Sequence, residues 1–326
     1  MPARRVTIRD VARAAGVSTT TVSAALTGNG RVSPETRDRI MRVAEECGYV
    51  ASAAARSLRL GRSGAIGLYV PDRTVGFEYY AHLSRGAAEA ALAHGFALTL
   101  LPAWPDAAPL RTLHLDGLIV CDPALGDPVA EVLRSLPVPM VTCERDPEPG
   151  ASPAGVVASD HVAGTTVLLD HLAGQGAASI AALVPGEETS FGQETRRACR
   201  ESDHDVRMVE VPLAYDPDDI ARALAEARAD EPDAIMVVPD GGALVALHLL
   251  QAEGVRVPED LLLASYVDAL SLQVARPTVT AVDIDPRATG ASAVNALVDL
   301  VVGEVSGPVL TSVPTHLRVR ESTSPA

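Results

Sequence analysis

The sequence contains no lysine; all 27 of its basic residues are arginine. Aromatic residues make up only 3% of its 326 residues, whereas hydrophobic residues reach 47%. Its cores must therefore be built from Ala, Val and Leu. Cysteine is scarce and scattered. Cys47, Cys121, Cys143 and Cys199 show no C-x-x-C spacing, which argues against a disulfide framework or a zinc site and for free thiols in a reducing compartment. No apolar run approaches the length of a membrane span, and no apolar leader follows Met1. The expectation is a cytoplasmic protein with no membrane partner. Enzyme signatures are missing too: there is no G-x-S-x-G elbow, P-loop, G-x-G-x-x-G or H-E-x-x-H, and His82, His94 and His248 stand alone on helical stretches. Without a nucleophile–base pair, the sequence argues against an enzyme, and no catalytic residue, cofactor or metal is expected.

What is present is unevenly distributed. The net charge is -15, which by itself speaks against nucleic acid. Yet residues 1–62 hold eleven Arg and five acids, while the remainder holds sixteen Arg and thirty-seven acids. A basic amino-terminal module on an acidic body suits a chain that meets phosphate at one end only. A solvated basic tail is the alternative. The length suits two or three domains.

The basic end reads as three short helices. Thr7-Ile8-Arg9-Asp10 fits a capping box, and Ile8, Val11, Ala12 and Ala15 share one face. Gly16 supplies a turn. Ser18 caps a second helix with Val22, Ala25 and Leu26 inward. Ser33-Pro34-Glu35 starts a third, with Ile40, Val43, Ala44 and Cys47 as its inner stripe. The first two helices have helix-turn-helix spacing. The run Ser18, Thr19, Thr20 and Thr21 is poor filler for a helix interior but suits an exposed first turn, where short hydroxyls and free amides can meet phosphates or base edges. A plain helical hairpin with capping threonines is the competing reading.

The stretch "VTIRDVARAAGVSTTTVSAALTGNGRVSPETRDRIMRVAEECGY" closely resembles the headpiece of the LacI/GalR family of transcriptional repressors, and the likeness continues through "ASAAARSLRLGRSGAIGLYVP". The resemblance implies phosphate contacts from Thr7, Ser18, Thr21, Ser23, Ser33 and Thr36, with Arg31 and Tyr49 also at the DNA. Thr19, Thr20 and Ala24 stand at the base-reading positions. Ala24 departs from the long polar residue of many members and cannot make a bidentate guanine contact. The resemblance further implies a hinge helix in which Leu58 wedges into the minor groove while Arg56 and its neighbours hold the backbone; a flexible linker with an incidental Leu is the alternative. Ala51-Ser52 replace the usual Pro-Asn, and Ser52 can still bond a phosphate. The implied partners are a pseudo-palindromic double-stranded operator, a second copy of the chain and a small-molecule effector, inducer or corepressor.

From Gly64, apolar runs such as "AIGLYV", "DGLIV", "PMVTC", "SIAALV" and "DAIMVV" alternate with helical stretches at 78–94, 160–174, 216–230 and 240–253, the pattern of parallel sheets with helices on both faces. The full expectation is an all-α three-helix headpiece of helix-turn-helix type, joined by a hinge helix to an α/β two-lobed periplasmic-binding-protein-like domain with parallel sheets. The expected limits are 1–50 for the headpiece, 51–63 for the hinge, 64–156 with 285–310 for the first lobe, and 157–284 with 311–320 for the second. The segment before "DGLIV" is short, so one peripheral helix should be stunted.

Ligands of open parallel sheets bind beyond the strands' carboxyl ends. Asp72, Asp122, Asp160, Asp240 and Asp268 stand there, each equally readable as a helix N-cap. The resemblance places Asp160 and Arg196 at the effector and puts Phe77 and Tyr215 where rings stack on it. Pro239 and Val267 replace polar residues that grip sugar hydroxyls in relatives, so the pocket is either retuned to another ligand or silent. A solute receptor for an importer shares the body's fold but not the headpiece.

Overall fold

A computed structural model of the protein describes residues 6–27, 32–49, 62–72, 78–103 and 108–324. The chain divides into two compact units, Met1–Gly64 and Ala65–Ala326. No helix among the described residues is long and apolar enough to cross a membrane.

The first unit holds α1 (Ile8–Ala15), α2 (Thr19–Thr27) and α3 (Pro34–Glu46). The Asp10 carboxylate accepts the Thr7 amide at 2.9 Å and its hydroxyl at 2.7 Å, tying down the first turn of α1. Gly16, at φ 66°, ends α1 in the left-handed region, where a side chain costs about 1–2 kcal/mol. Ser33 caps α3, and Pro34 follows at a position where no amide is needed. All three helices pack around Val11, Val22 and Ile40, which are fully buried, with Ala12, Ala15, Ala25 and Ala44 filling the close crossings. Burying each large side chain contributes about 1.5–3 kcal/mol. Ile8, Leu26, Val43 and Cys47 are only half-buried. Three short helices enclose too little volume to cover a second tier.

The second unit carries two six-stranded sheets. In the first, β1 (Ala65–Tyr69), β2 (Ala97–Leu101), β3 (Gly117–Cys121), β4 (Met140–Cys143), β5 (Gly155–Ser159) and β11 (Val309–Val313) run in the order β11-β5-β4-β3-β1-β2, all parallel. In the second, β6 (Ser179–Pro185), β7 (Asp205–Val211), β8 (Ala234–Val237), β9 (Leu262–Ser265), β10 (Thr280–Asp283) and β12 (His316–Arg318) run β12-β10-β9-β8-β6-β7, and only β12 is antiparallel. The intervening helices are α4 (Glu78–Ala93), α5 (Pro128–Arg134), α6 (His161–Gly174), α7 (Ser190–Glu201), α8 (Pro217–Arg228), α9 (Gly242–Ala252), α10 (Leu270–Val274) and α11 (Pro286–Val302). Among the described residues between β2 and β3 there is a 3-10 turn, Ala108–Thr112.

Continuous apolar runs make strands buried on both faces. Fully buried Ile66, Leu68, Ile119 and Val141 meet α4 and α11 on one side, and Leu118 and Val120 meet α5 on the other. α4 and α11 cross so closely that a Cβ on Gly86 would lie 2.1 Å from the Arg287 carbonyl oxygen, and one on Gly290 2.1 Å from that of Leu83. Larger residues at either place would push the helices apart. Cys121 and Cys143 are register partners on β3 and β4, both buried and free.

Strand pairing corrects two of the expected lobe limits. β5 and β11 pair from Gly155 with Val309 to Ser159 with Val313, so both lie wholly in the first sheet. The limits at 156/157 and 310/311 therefore fall inside strands, and the chain changes lobes at their ends. Apolar patterning marks a strand but not the sheet it joins.

Candidate functional site

Two places in the molecule concentrate groups suited to binding. In the first unit, Ser18, Thr19 and Thr20 are exposed at the start of α2, and Thr21 is half-buried. Ser18 Oγ accepts the Thr21 amide at 3.1 Å and lies 2.8 Å from the Thr21 hydroxyl. Ser33 Oγ likewise accepts the Thr36 amide at 3.3 Å and donates to its hydroxyl at 2.9 Å. Thr7, Ser18 and Ser33 are thus capping residues, and a hydroxyl oxygen keeps further acceptor capacity beyond one such bond. α1 and α3 carry Asp10 and Glu35 in their first turns, but α2 has no acid there. The positive end of its dipole is left for an external anion. Ser23 and Ala24 lie half-buried on α2, and Tyr49 packs against the small core. Arg31, Ser52, Arg56 and Leu58 lie outside the described residues.

In the second unit, a cavity of about 70 Å³ lies between the lobes, beyond the carboxyl ends of the strands. The first lobe supplies Asp122 after β3, Glu144 after β4, and Tyr79 and Tyr80 from α4. The second supplies His161, Phe191, Tyr215, Pro239, Asp240 and Val267 among others. Each sheet's strand order reverses at this edge, between β1 and β3 and between β6 and β8, which opens a crevice for a ligand.

Backbone strain is concentrated at two of these wall residues. Asp122 at φ 40° and Glu144 at φ 72° are non-glycine residues in the left-handed region, a placement that costs on the order of 1–3 kcal/mol each. Ladder bonds hold them there: the Asp122 amide donates to the Cys143 carbonyl at 2.9 Å, and the Glu144 amide to that of Val157 at 2.8 Å. The Tyr80 hydroxyl donates to the Asp122 carboxylate. Glu144 is buried, accepts the Ser159 amide at 3.1 Å, and sets its other oxygen 3.0 Å from His161 Nε2. His161 Nδ1 lies 2.9 Å from the Tyr266 hydroxyl. Burial opposes a charged imidazole at His161, but the Glu144 carboxylate prevails and raises its pKa.

Asp240 sits at the opposite wall, 8% exposed. Burial pushes its pKa up to about 6, although the Tyr79 and Gly241 amides donate to it. The Tyr79 bond, 3.2 Å long, crosses from one lobe to the other. Two more bonds cross nearby: the Leu270 amide donates to Glu78 Oε1 at 2.8 Å, and the Leu125 amide to the Glu188 carbonyl at 2.8 Å. The Tyr215 hydroxyl donates to the Asp240 carbonyl, and burial raises its pKa strongly.

Of the expected effector residues, the structure brings Asp122, Tyr215 and Asp240 together at this cavity, with Pro239 and Val267 in its wall. Phe77 lies outside the described residues. Four others are not among the cavity's lining. Arg196 donates to the Pro185 carbonyl and to Glu210, both at 2.6 Å, and these bonds occupy its guanidinium. Asp160 caps α6 through the Ala163 amide at 2.9 Å and faces a separate groove beside β5 and β11. Asp268 is clamped by Arg320 through two bonds of 2.8 and 2.6 Å. Asp72 is exposed on an outer groove that shares only Leu213 with the cavity. The sequence reading missed Glu144, His161, Phe191, Tyr79 and Tyr80. His161 directly follows Asp160, which the sequence had already singled out. The adjacent tyrosines were conspicuous in a chain with six tyrosines in all.

Comparison with known proteins matches both units. Residues 7–52 fit the family described as bacterial regulatory proteins, lacI family, and residues 169–323 fit a periplasmic binding protein-like domain. The HTH-type transcriptional regulator CelR of Thermobifida fusca is 30% identical over 342 residues, covering 98% of each chain. Catabolite control protein A of Staphylococcus xylosus is 28% identical, covering 85% of this chain and 87% of that protein. The structure of a CelR–cellobiose complex superposes with a TM-score of 0.72 at 28% identity, covering 98% of this chain and all of the other. The lac repressor dimer, bound to operator and the anti-inducer ONPF, shares the fold with a TM-score of 0.76 at 22% identity over 98% of this chain and 99% of that one. With a lacI-type headpiece match and a full-length relative at 30% identity, the chain belongs to the LacI family of transcriptional regulators, and its function is DNA-binding regulation of transcription rather than catalysis.

Proposed function

We propose that the protein is a dimeric cytoplasmic repressor whose grip on a pseudo-palindromic operator is set by a small molecule held between the lobes. The observation that carries this reading is the cavity walled by both lobes and crossed by the Tyr79–Asp240 hydrogen bond. A ligand lodged there touches both lobes, so it binds one lobe arrangement better than another and shifts the population toward it. In this reading, Thr7, Ser18, Thr21, Ser23, Ser33 and Thr36 hold phosphates. Thr19, Thr20 and Ala24 face base edges, and residues 51–63 form the hinge with Leu58 as its wedge. The cavity side uses Asp122, Tyr215 and Asp240. The CelR–cellobiose complex is a precedent for a ligand-binding relative.

Fluorescence anisotropy with DNA from upstream of the protein's own gene, repeated across a metabolite library, tests the reading. A compound that stabilises the chain should also change operator affinity, and Asp240→Ala should remove both effects. If operator affinity responds equally in the variant, the cavity is not the regulatory site.

A further inference from the structure

The cavity's chemistry narrows the class of ligand beyond what regulation by a small molecule requires. The chain has ten Trp, Tyr and Phe residues in all, and four of them, Tyr79, Tyr80, Phe191 and Tyr215, line this one cavity. Three carboxylates, Asp122, Glu144 and Asp240, line it as well. Among the described residues no arginine reaches it; Arg196 is bound to Pro185 and Glu210. Its one basic side chain there, His161, lies against Glu144. Asp240 is more than nine-tenths buried, and among the described residues its carboxylate accepts the backbone amides of Tyr79 and Gly241. A buried carboxylate facing a cavity calls for a positive partner, because amide dipoles alone do not repay the loss of water.

Resting on the reading of the cavity as the effector site, we infer that it takes a ligand bearing a protonated amine, with Asp240 as its counter-charge and the Tyr79, Phe191 and Tyr215 rings as its walls. Ring faces attract cations through their quadrupoles, most strongly where water is excluded. A neutral sugar offers Asp240 a hydroxyl donor but leaves the charge buried. An anion meets three carboxylates. Burial is the main cause of the Asp240 pKa of about 6, and a cation brought beside the carboxylate would offset it.

The test uses the full chain and a fixed panel at pH 7.0: glucosamine, its β-1,4-linked dimer and phenethylamine, against their N-acetylated forms, glucose and cellobiose. At a hundred times its dissociation constant, an amine that fits should raise the melting temperature by roughly 5 °C, and its N-acetylated form should not. Asp240→Asn should weaken that amine at least tenfold, and Asp240→Glu should weaken it less. If the variants do not fold, the wild-type chain decides by pH. Asp240 faces Glu78 and Tyr79 of α4, Tyr215 before α8, and Asp122, Glu144 and His161 across the cavity. Its protonation between pH 7 and 5 should cost the amine about tenfold in affinity. No shift with any amine, or equal shifts with an amine and its N-acetylated form, overturns the inference. A neutral sugar that stabilises the chain and alters operator binding while the amines are inert overturns the amine class and leaves the regulatory reading standing. Amines that bind without changing operator affinity support the class and count against the coupling.

Discussion

The headpiece and the inter-lobe cavity solve opposite problems. The headpiece must present groups to a large, highly charged and regular partner. In the proposed reading, short hydroxyls on one exposed helical turn meet that partner, and consecutive residues supply them. The cavity must enclose a small partner away from water. Its walls come from α4, two strand ends of one lobe, and the first turns of α6 and α7 with several loops of the other, and no two of its carboxylates are neighbours in sequence. A contiguous site can be read from the chain, whereas an enclosed one depends on how the sheets close upon each other.

The largest effect should come from cutting the two apart. Residues 65–326 alone are expected to fold and to lose at least a thousandfold in operator affinity, measured by anisotropy. Specific binding by that fragment would break the division of labour. In the full chain, raising salt from 50 to 200 mM should lower affinity by about 10³ if six or more phosphates are held, and a flat response would break the electrostatic side of the comparison. Leu58→Ala should then cost roughly a hundredfold with the fold intact, since a wedge that unstacks one base step is worth a few kcal/mol. Tight binding by that variant would reduce the hinge to a passive linker.

The cavity's effects should be smaller and of opposite sign for stability and binding. Asp240 has a folded pKa of about 6, against 3.8 for an unperturbed Asp. A raised acid stabilises the fold fully below about pH 4 and loses that contribution as pH rises through 6. Asp240→Asn should therefore stabilise the ligand-free protein at pH 7.5 by on the order of 2 kcal/mol, visible as a higher melting temperature that converges with wild type near pH 4. A lower melting temperature would show that the carboxylate is structural. The smallest effect belongs to Arg196→Ala. Its pairing with exposed Glu210 is worth about 1 kcal/mol or less, and ligand affinity should stay within about threefold. A larger loss would mean that Arg196 swings into the cavity when ligand is present.

By itself, the sequence determined the helix-turn-helix, the caps at Thr7, Ser18 and Ser33, and the alternation of strands and helices that makes two parallel sheets. These rest on local rules: side-chain oxygens meeting free amides a few residues away, and apolar periods of 2 and 3.6. The family likeness extended them to the overall architecture. It did not fix where particular side chains near the cavity sit, because the same residue type can cap, pair or bind. Asp160 caps α6 while its neighbour His161 turns inward, Asp268 is claimed by Arg320 from the carboxyl-terminal segment, and Arg196 is claimed by Glu210 on β7. Only the tertiary structure decided these, because the competing partners lie far away in sequence, and a charged group goes wherever its desolvation is best repaid.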